Sequence, residues 1–357
     1  MVGQFPTGYG EQTGESNRGK QTTRCTKRTF KSVRAQPTPQ PDIQCCRKLP
    51  GTKWRMYLKA CLLIMVLSLL AGLAASNPLI GNAAVGILED VPGNYVGQRD
   101  VRAVRLVFEK QGNNWQSFPS DCANQQCLKA MPSKYPGRVT WTITFQGKTL
   151  GQLSAQTRRP FDFYSDVGLQ DIVSSGPVPT IGKRAEEYGG FLGTAVYRPL
   201  VATSQPFSGD PQNWKFARLP PSLISDVRQA FRRKFPRATN CRNADENIAR
   251  PWKYSDENIR VARAHSSRDH WFLAQTLLTP YRCDGPPDGG FVDQWFSIAP
   301  SGEIKFLDKA MWFVDAGDYG NDGKSEVVFS LAGYDKGGYE LFYDDFMKHA
   351  TFEFSYH

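Results

Sequence analysis

Histidine is scarce in this chain: His265, His270, His349 and His357 are the four in 357 residues. No H-E-x-x-H sets two of them over a zinc ion, and no G-x-S-x-G offers a nucleophile elbow. Asp269-His270 is adjacent in sequence, which points the two side chains apart, so a charged turn accounts for the pair. A phosphate-cradling G-x-G-x-x-G is also missing. Gly189-Gly190-Phe191-Leu192-Gly193 has the wrong spacing, and no helical pattern follows it. Cys122-x4-Cys127 has neither a second cysteine pair nor a histidine beside it, which argues against zinc. No catalytic residue is announced.

The folded part also lacks net positive charge. Of the formal +10, residues 1–55 hold +8 (eleven Lys/Arg against three Asp/Glu) and Lys59 one more, leaving +1 for residues 60–357. Without a basic surface the chain has no footprint for phosphate backbones, and nucleic acid is excluded as a partner. Long hydrophobic runs are few. Residues 60–75, ACLLIMVLSLLAGLAA, contain only Ser68 as a polar residue. That falls short of the ~20 residues of a membrane span and suits a signal-peptide core of roughly 7–15. Lys59 precedes the run, small residues at 72–76 follow it, and Asn77-Pro78 ends any helix. Residues 56–76 are therefore expected to be a signal peptide, with Met56 as its start. Residues 1–55 then form a disordered basic segment outside the folded protein. In the competing reading they are a cytoplasmic tail and 56–76 a single membrane-spanning segment, with the C-terminal domain outside. Residues 77–98 are read as a Gly/Pro/Asn-rich lead-in, and 99–357 as a β-rich extracytoplasmic domain.

Cysteine usage agrees with export. Beyond the hydrophobic segment stand Cys122, Cys127, Cys241 and Cys283, an even number, as an oxidising compartment favours. Three connectivities are possible. Proximity favours Cys122–Cys127, which leaves Cys241–Cys283.

What the chain has in quantity is strand pattern. Val139, Trp141, Ile143 and Phe145 alternate with Thr140, Thr142 and Thr144, and residues 101–110 alternate similarly. Further strands are expected at 149–155, 194–203, 259–265, 271–278, 293–299, 303–307, 339–346 and 351–357. One amphipathic helix stands out at 222–235: Ser222 is the expected cap, Leu223, Val227, Phe231 and Phe235 make a stripe, and Pro236 ends it. Arg228, Arg232 and Arg233 on its other face read as a solvated surface. The fold class is mainly β, in antiparallel strand meanders. Repeated four-strand units fit a β-propeller, with a β-sandwich as the alternative.

Acids and glycines concentrate in 315–346, DAGDYGNDGKSEVVFSLAGYDKGGYELFYDDF. Gly323-Lys324-Ser325 matches the end of a P-loop, but Asp318 stands where its first glycine belongs. An EF-hand counted from Asp318 reaches Phe329 where its bidentate Glu belongs. Asp318…Asp322-Gly323-x-x-Glu326 before a hydrophobic strand resembles the FG-GAP/VCBS repeat of integrin-like β-propellers, one copy over about residues 314–346. The resemblance implies a calcium ion held by Asp318, Asp322 and Glu326, with the Lys324 carbonyl as a further ligand. The pattern departs at its third position, where Gly320 stands and Asn321 comes one residue late.

Other chemistry is thin. Glu340, Asp344 and Asp345 could supply a glycosidase couple. Trp271, Trp295 and Trp312 could form a sugar-stacking platform, although large aromatics in strands are usually core. The expected function is an exported binding or scaffold protein of unknown ligand. The alternative is an extracytoplasmic hydrolase of saccharide or envelope polymer.

Overall fold

Alternation is the rule that builds most of this molecule. In the last strand, Lys348–Ser355, Ala350, Phe352 and Phe354 are buried while Thr351 and Glu353 face water. The structure is a computed structural model that describes residues 82–91, 101–181, 197–242, 249–281, 293–333 and 335–355. It is mainly β and antiparallel, as expected.

The first sheet contains β1 (Ala84–Val91), β2 (Val101–Gln111), β3 (Asn114–Ser117), β4 (Arg138–Phe145), β5 (Lys148–Thr157), β6 (Leu169–Ile172) and β7 (Leu200–Thr203). Its order is β1-β7-β4-β5-β6-β2, and β2 pairs back onto β1, so six strands close into a barrel with β3 as a flap on β2. Trp141 and Gln170 are wholly buried there, the Trp141 indole donating to Gln170 Oε1 at 2.8 Å and Gln170 Nε2 to Thr157 Oγ1 at 3.0 Å. Gln146 and Gly147 join β4 to β5 with φ of 49° and 70°, the left-handed pair of a two-residue type I′ hairpin.

The second sheet has order β14-β13-β12-β11-β8, made of β8 (Lys215–Phe216), β11 (Ile259–Ser266), β12 (Phe272–Leu278), β13 (Gln294–Ile298) and β14 (Ile304–Phe306). Between β8 and β11 lie α2 (Pro221–Lys234) and the ribbon β9 (Ala238–Asn240) with β10 (Arg250–Trp252). A shorter α1, Gln125–Ala130, follows Cys122. The third sheet is a plain meander, β15 (Met311–Gly317), β16 (Glu326–Ala332), β17 (Lys336–Tyr343) and β18 (Lys348–Ser355).

These sheets stack in layers. Val314, Val328, Tyr339, Leu341 and Phe352 of the third sheet join the barrel core. Met311, Val327, Phe329 and Phe342 join Leu273 and Trp295 of the second sheet. The third sheet is thus buried on both faces, which is why Val327, Val328 and Phe329 of β16 are apolar in succession instead of alternating. The far face of the second sheet, with Ala274 and Phe296, is covered by Val227, Ala230 and Phe231 of α2.

Several expectations shift in detail. Two four-strand meanders have the strand order of propeller blades, whereas the N-terminal strands close on themselves instead of forming a blade. The lead-in contains β1, which completes the barrel. Helix α2 begins on Pro221 with Pro220 at the cap, so Ser222 is inside its first turn and caps nothing. Its basic face is partly engaged: Arg228 Nε donates to the Ile259 carbonyl at 3.1 Å and Arg232 pairs with Asp256 at 2.5 Å. β17 stops at Tyr343, and Asp344, Asp345 and Phe346 turn the chain with φ near 53°, 55° and 63°. Cys122 and Cys127 are disulfide-bonded, Cα atoms 5.5 Å apart. Cys241 is also disulfide-bonded, and its expected partner Cys283 lies outside the described residues. So do the segments 1–55 and 56–76. Among the described residues no helix is long and apolar enough to cross a membrane.

Candidate functional site

Two places gather polar chemistry. The first is the loop between β15 and β16. Asp318 is buried; its Oδ1 accepts from the Asp322 amide and its Oδ2 from the Gly323 amide, each at 2.9 Å. Ser208 Oγ adds a bond to Oδ2 at 3.3 Å. Glu326 is buried as well. Its Oε1 accepts from the Trp115 indole at 3.1 Å and its Oε2 from the Tyr319 and Gly320 amides at 2.8 and 3.3 Å. Burial pushes this carboxyl up to about 7, against the pull of the Trp115 and Tyr319 N–H groups and Lys110. Asp322 pairs with Lys110 of β2 at 2.5 Å and accepts from the Lys324 amide at 3.0 Å. Burial would raise its pKa, but the bonds from Lys110 and Lys324 bring it below the ordinary carboxylate value.

The three carboxylates therefore face N–H donors and an ammonium. Among the described residues no three His, Cys, Asp or Glu side chains are grouped as a metal would need. As the loop stands, the cation beside Asp322 is the Lys110 ammonium. The motif's departure at its third position falls at the same contact. A Cβ built on Gly320 would overlap Lys110 Nζ, so a ligand-bearing side chain there would displace the ammonium. An open cavity of about 350 Å³ adjoins the loop, lined by Lys110, Trp115 and Asp322 and, farther out, by Asp344 and Lys348.

The second place was not foreseen. A cavity of about 290 Å³ opens where the three sheets meet. The barrel side contributes Gln146, from the β4–β5 turn, and Arg198, two residues before β7. The second sheet contributes Lys215 and Phe216 of β8, Arg263 and His265 of β11 and Trp295 of β13, with Trp214 preceding β8. The third sheet contributes Phe313 and Asp315 of β15. Two bulges aim these groups. The pairing of β11 slips between Val261 and Arg263, and that of β15 between Phe313 and Asp315. A bulge re-points the side chains after it, and here both put polar groups on an otherwise apolar face.

Electrostatics set the acid and the histidine of this cavity apart most sharply. Asp315 is 3% exposed, and its two oxygens share the Gln146 amide at 3.1 Å each. Burial raises it to about 7, opposed by the Gln146 and Ala316 amides and by Arg198, and assisted by Asp210. His265 is lowered to about 4, by burial first and then by Arg198 and Arg263, so its ring is neutral near pH 7. That ring stacks on Phe313 with centroids 4.1 Å apart, and its buried Nδ1 has no hydrogen-bond partner among the described residues. Arg198 Nη2 donates to the Val314 carbonyl at 2.5 Å while its guanidinium lies 4.5 Å from the Phe145 ring centroid, which fixes the group at the barrel edge. Phe216 is 68% exposed at the rim.

The remaining expected residues do not converge. Asp344 stands on the surface between Lys324 and Lys348, each at 3.3 Å; hydrogen bonds from these two lower its pKa. Asp345 sits in the same turn. Glu340 is buried near His349 Nε2 at 3.7 Å and is pushed up to about 8 by burial, Asp308 and Glu353. Trp295 lines the three-sheet cavity, while Trp271 packs on Phe346 at 5.5 Å, so the tryptophans make no common platform. Arg198, Arg263, His265 and Asp315 span more than a hundred residues of chain with no shared motif. Only their sheet positions could have joined them.

Comparison of the chain with protein-family models, with curated proteins and with solved structures finds no match.

Proposed function

We propose that this is an exported, β-rich binding protein that holds a small ligand in the cavity between its three sheets. The observation that carries the reading is the meeting of Arg198, Arg263, His265 and Asp315 with the aromatic rings of Phe216, Phe313 and Trp295 in that one recess. A concave site with a few convergent polar groups on apolar walls is the usual form of a ligand pocket. Export is supported by the signal-like segment 56–76 and by the bonded pair Cys122–Cys127. Binding is favoured over hydrolysis because Asp315 is the one acid lining the cavity among the described residues, and a glycosidase needs two carboxylates across the scissile bond.

Hydrolysis remains the second reading because of Asp315 itself. A carboxyl raised to about 7 is suited to general-acid work near neutrality. A thermal-shift screen of small molecules on the full chain tests the first reading. Hits whose effect disappears in both Phe216→Ala and Arg263→Gln support it. No hits, or hits indifferent to both changes, overturn it. Turnover of a hit that is lost in Asp315→Asn would favour the hydrolase.

A further inference from the structure

We propose that the ligand of the three-sheet cavity is a single-ring compound bearing one carboxylate, its charge held by Arg198, Arg263 and Lys215 and its ring by Phe216 and the stacked pair His265–Phe313. This rests on the binding reading above and names the chemistry of its ligand.

Charge decides the sign. Among the described residues the lining has three permanent cations and one acid, Asp293 acts on Arg263 from outside it, and His265 is neutral near pH 7. Low-dielectric walls strengthen that field, and guanidinium groups match a carboxylate's two oxygens. Arg198 reaches the cavity already anchored by the Val314 carbonyl and the Phe145 ring, so little side-chain freedom is lost when it binds an anion. A carboxylate fits better than a phosphate. Among the described residues no glycine loop or helix N-terminus lines the cavity to cradle phosphate oxygens, and a dianion would face Asp315 at close quarters. A monoanion is compatible with Asp315, which in its protonated form can donate to the ligand.

Size and walls decide the rest. A volume of about 290 Å³ is at the small end for ligand pockets and leaves room for one ring, not a polymer segment. Phe216, at 68% exposure, leaves an aromatic face in water at the rim, and its ring meets His265 edge-on at 6.1 Å. A ligand ring entering there would cover Phe216 and lie against the flat His265–Phe313 stack, 4.1 Å between centroids. Trp295, 1% exposed, closes the floor.

The acid adds a pH signature. Arg198 and Asp210 act on Asp315 directly, Tyr319 interacts with it electrostatically, and Lys215, Arg263 and His265 stand around the same cavity. Ionisation of Asp315 above about pH 7 places a negative charge beside the bound carboxylate and weakens it.

The test is a tryptophan-fluorescence titration of the full chain, with Trp214 and Trp295 as reporters. The probes are benzoate and glucuronate, their neutral counterparts benzamide and methyl glucoside, and inorganic phosphate. At least one carboxylate should bind on the order of tenfold tighter than its neutral counterpart and than phosphate. The better of the two identifies an aromatic or a sugar ring. Arg263→Gln should cost a similar factor. Arg198→Gln carries a folding risk, so Lys215→Gln, a change at an exposed position, is the second charge variant. Affinity should fall between about pH 6 and pH 8, and Asp315→Asn should flatten that profile while retaining binding. Neutral counterparts binding as well as the acids, with the signal still lost in Phe216→Ala, overturn the carboxylate proposal and leave the cavity as a site. A pH profile unchanged in Asp315→Asn also counts against it. No saturable signal from any probe overturns the proposal too, while the binding reading stands or falls on the library screen.

Discussion

Replacing Lys110 with methionine keeps most of the stem and removes the ammonium that sits over the 318–326 loop. The cost can be worked from the geometry. The Lys110 side chain is 10% exposed and that of Asp322 41%, so water screens one side of their 2.5 Å pair and limits it to roughly 1 kcal/mol. Nζ also lies 5.7 Å from the Trp115 ring centroid, worth about 0.5–1 kcal/mol more. A loss of about 1–2 kcal/mol lowers Tm by roughly 2–8 °C in a domain of this size. The second consequence is a change in ion response. With Lys110 gone, the positive charge acting on Asp322 is that of the exposed Lys324 alone, so millimolar calcium should stabilise Lys110→Met. The double change Lys110→Met with Gly320→Asn, which restores an oxygen at the third position, should respond more strongly still. Wild type should be indifferent. The assay is a thermal melt with calcium and then with chelator, on all three proteins. A wild-type Tm that rises with calcium and falls with chelator refutes the reasoning, because a cation would then be binding beside Lys110.

The buried acids predict alkaline sensitivity. Glu340, Glu326 and Asp315 have folded values of about 8, 7 and 7, above their ordinary values, so the fold binds protons that the unfolded chain releases. Stability is then greatest below about pH 4.5 on their account and declines as pH rises towards about 8. Chemical denaturation across that range should show the decline, and Glu340→Gln should remove part of it; a flat profile in wild type contradicts the assignment. Gln170→Leu strands the Trp141 indole N–H in the barrel and should cost about 1–3 kcal/mol by urea unfolding, with Trp141→Phe/Gln170→Leu costing less than Gln170→Leu alone. Gly147→Val should strain the I′ turn at φ 70° and shift the Gln146 amide off Asp315, giving a loss of about 1 kcal/mol or more and a lowered cavity affinity. An unchanged affinity would separate the turn from the site.

How much of this was legible depended on how local the signal was. Val139, Trp141 and Ile143 announce β4 by alternation alone, and the stripe Leu223, Val227, Phe231 marks α2. Strand β1 was hidden because Val85-Gly86-Ile87-Leu88 lies within a stretch rich in asparagine, glycine and proline, and β8 because it is two residues long, whereas β7 is the end of the strand expected at 194–203. Barrel closure depends on Leu200–Thr203 reaching both β1 and β4, pairings that no window of sequence contains. The site was less legible than the fold. The loop acids were visible, but Lys110, which decides their chemistry, is more than two hundred residues away. The cavity's polar groups are aimed by two bulges, and a bulge breaks the very periodicity by which strands are read.

Strand β7 has a consequence for how the molecule comes together. It is a four-residue staple: without it β1 and β4 would each expose a row of unpaired amides and carbonyls, the kind of edge that recruits other chains. Arg198 lies just ahead of it, so the stroke that seals the barrel also carries the guanidinium to the cavity. On the binding proposed above, assembly and recognition are the same event. A compound that engages Arg198 should hold the seam shut, and slower hydrogen exchange at the amides of Leu200 to Thr203 would record its grip.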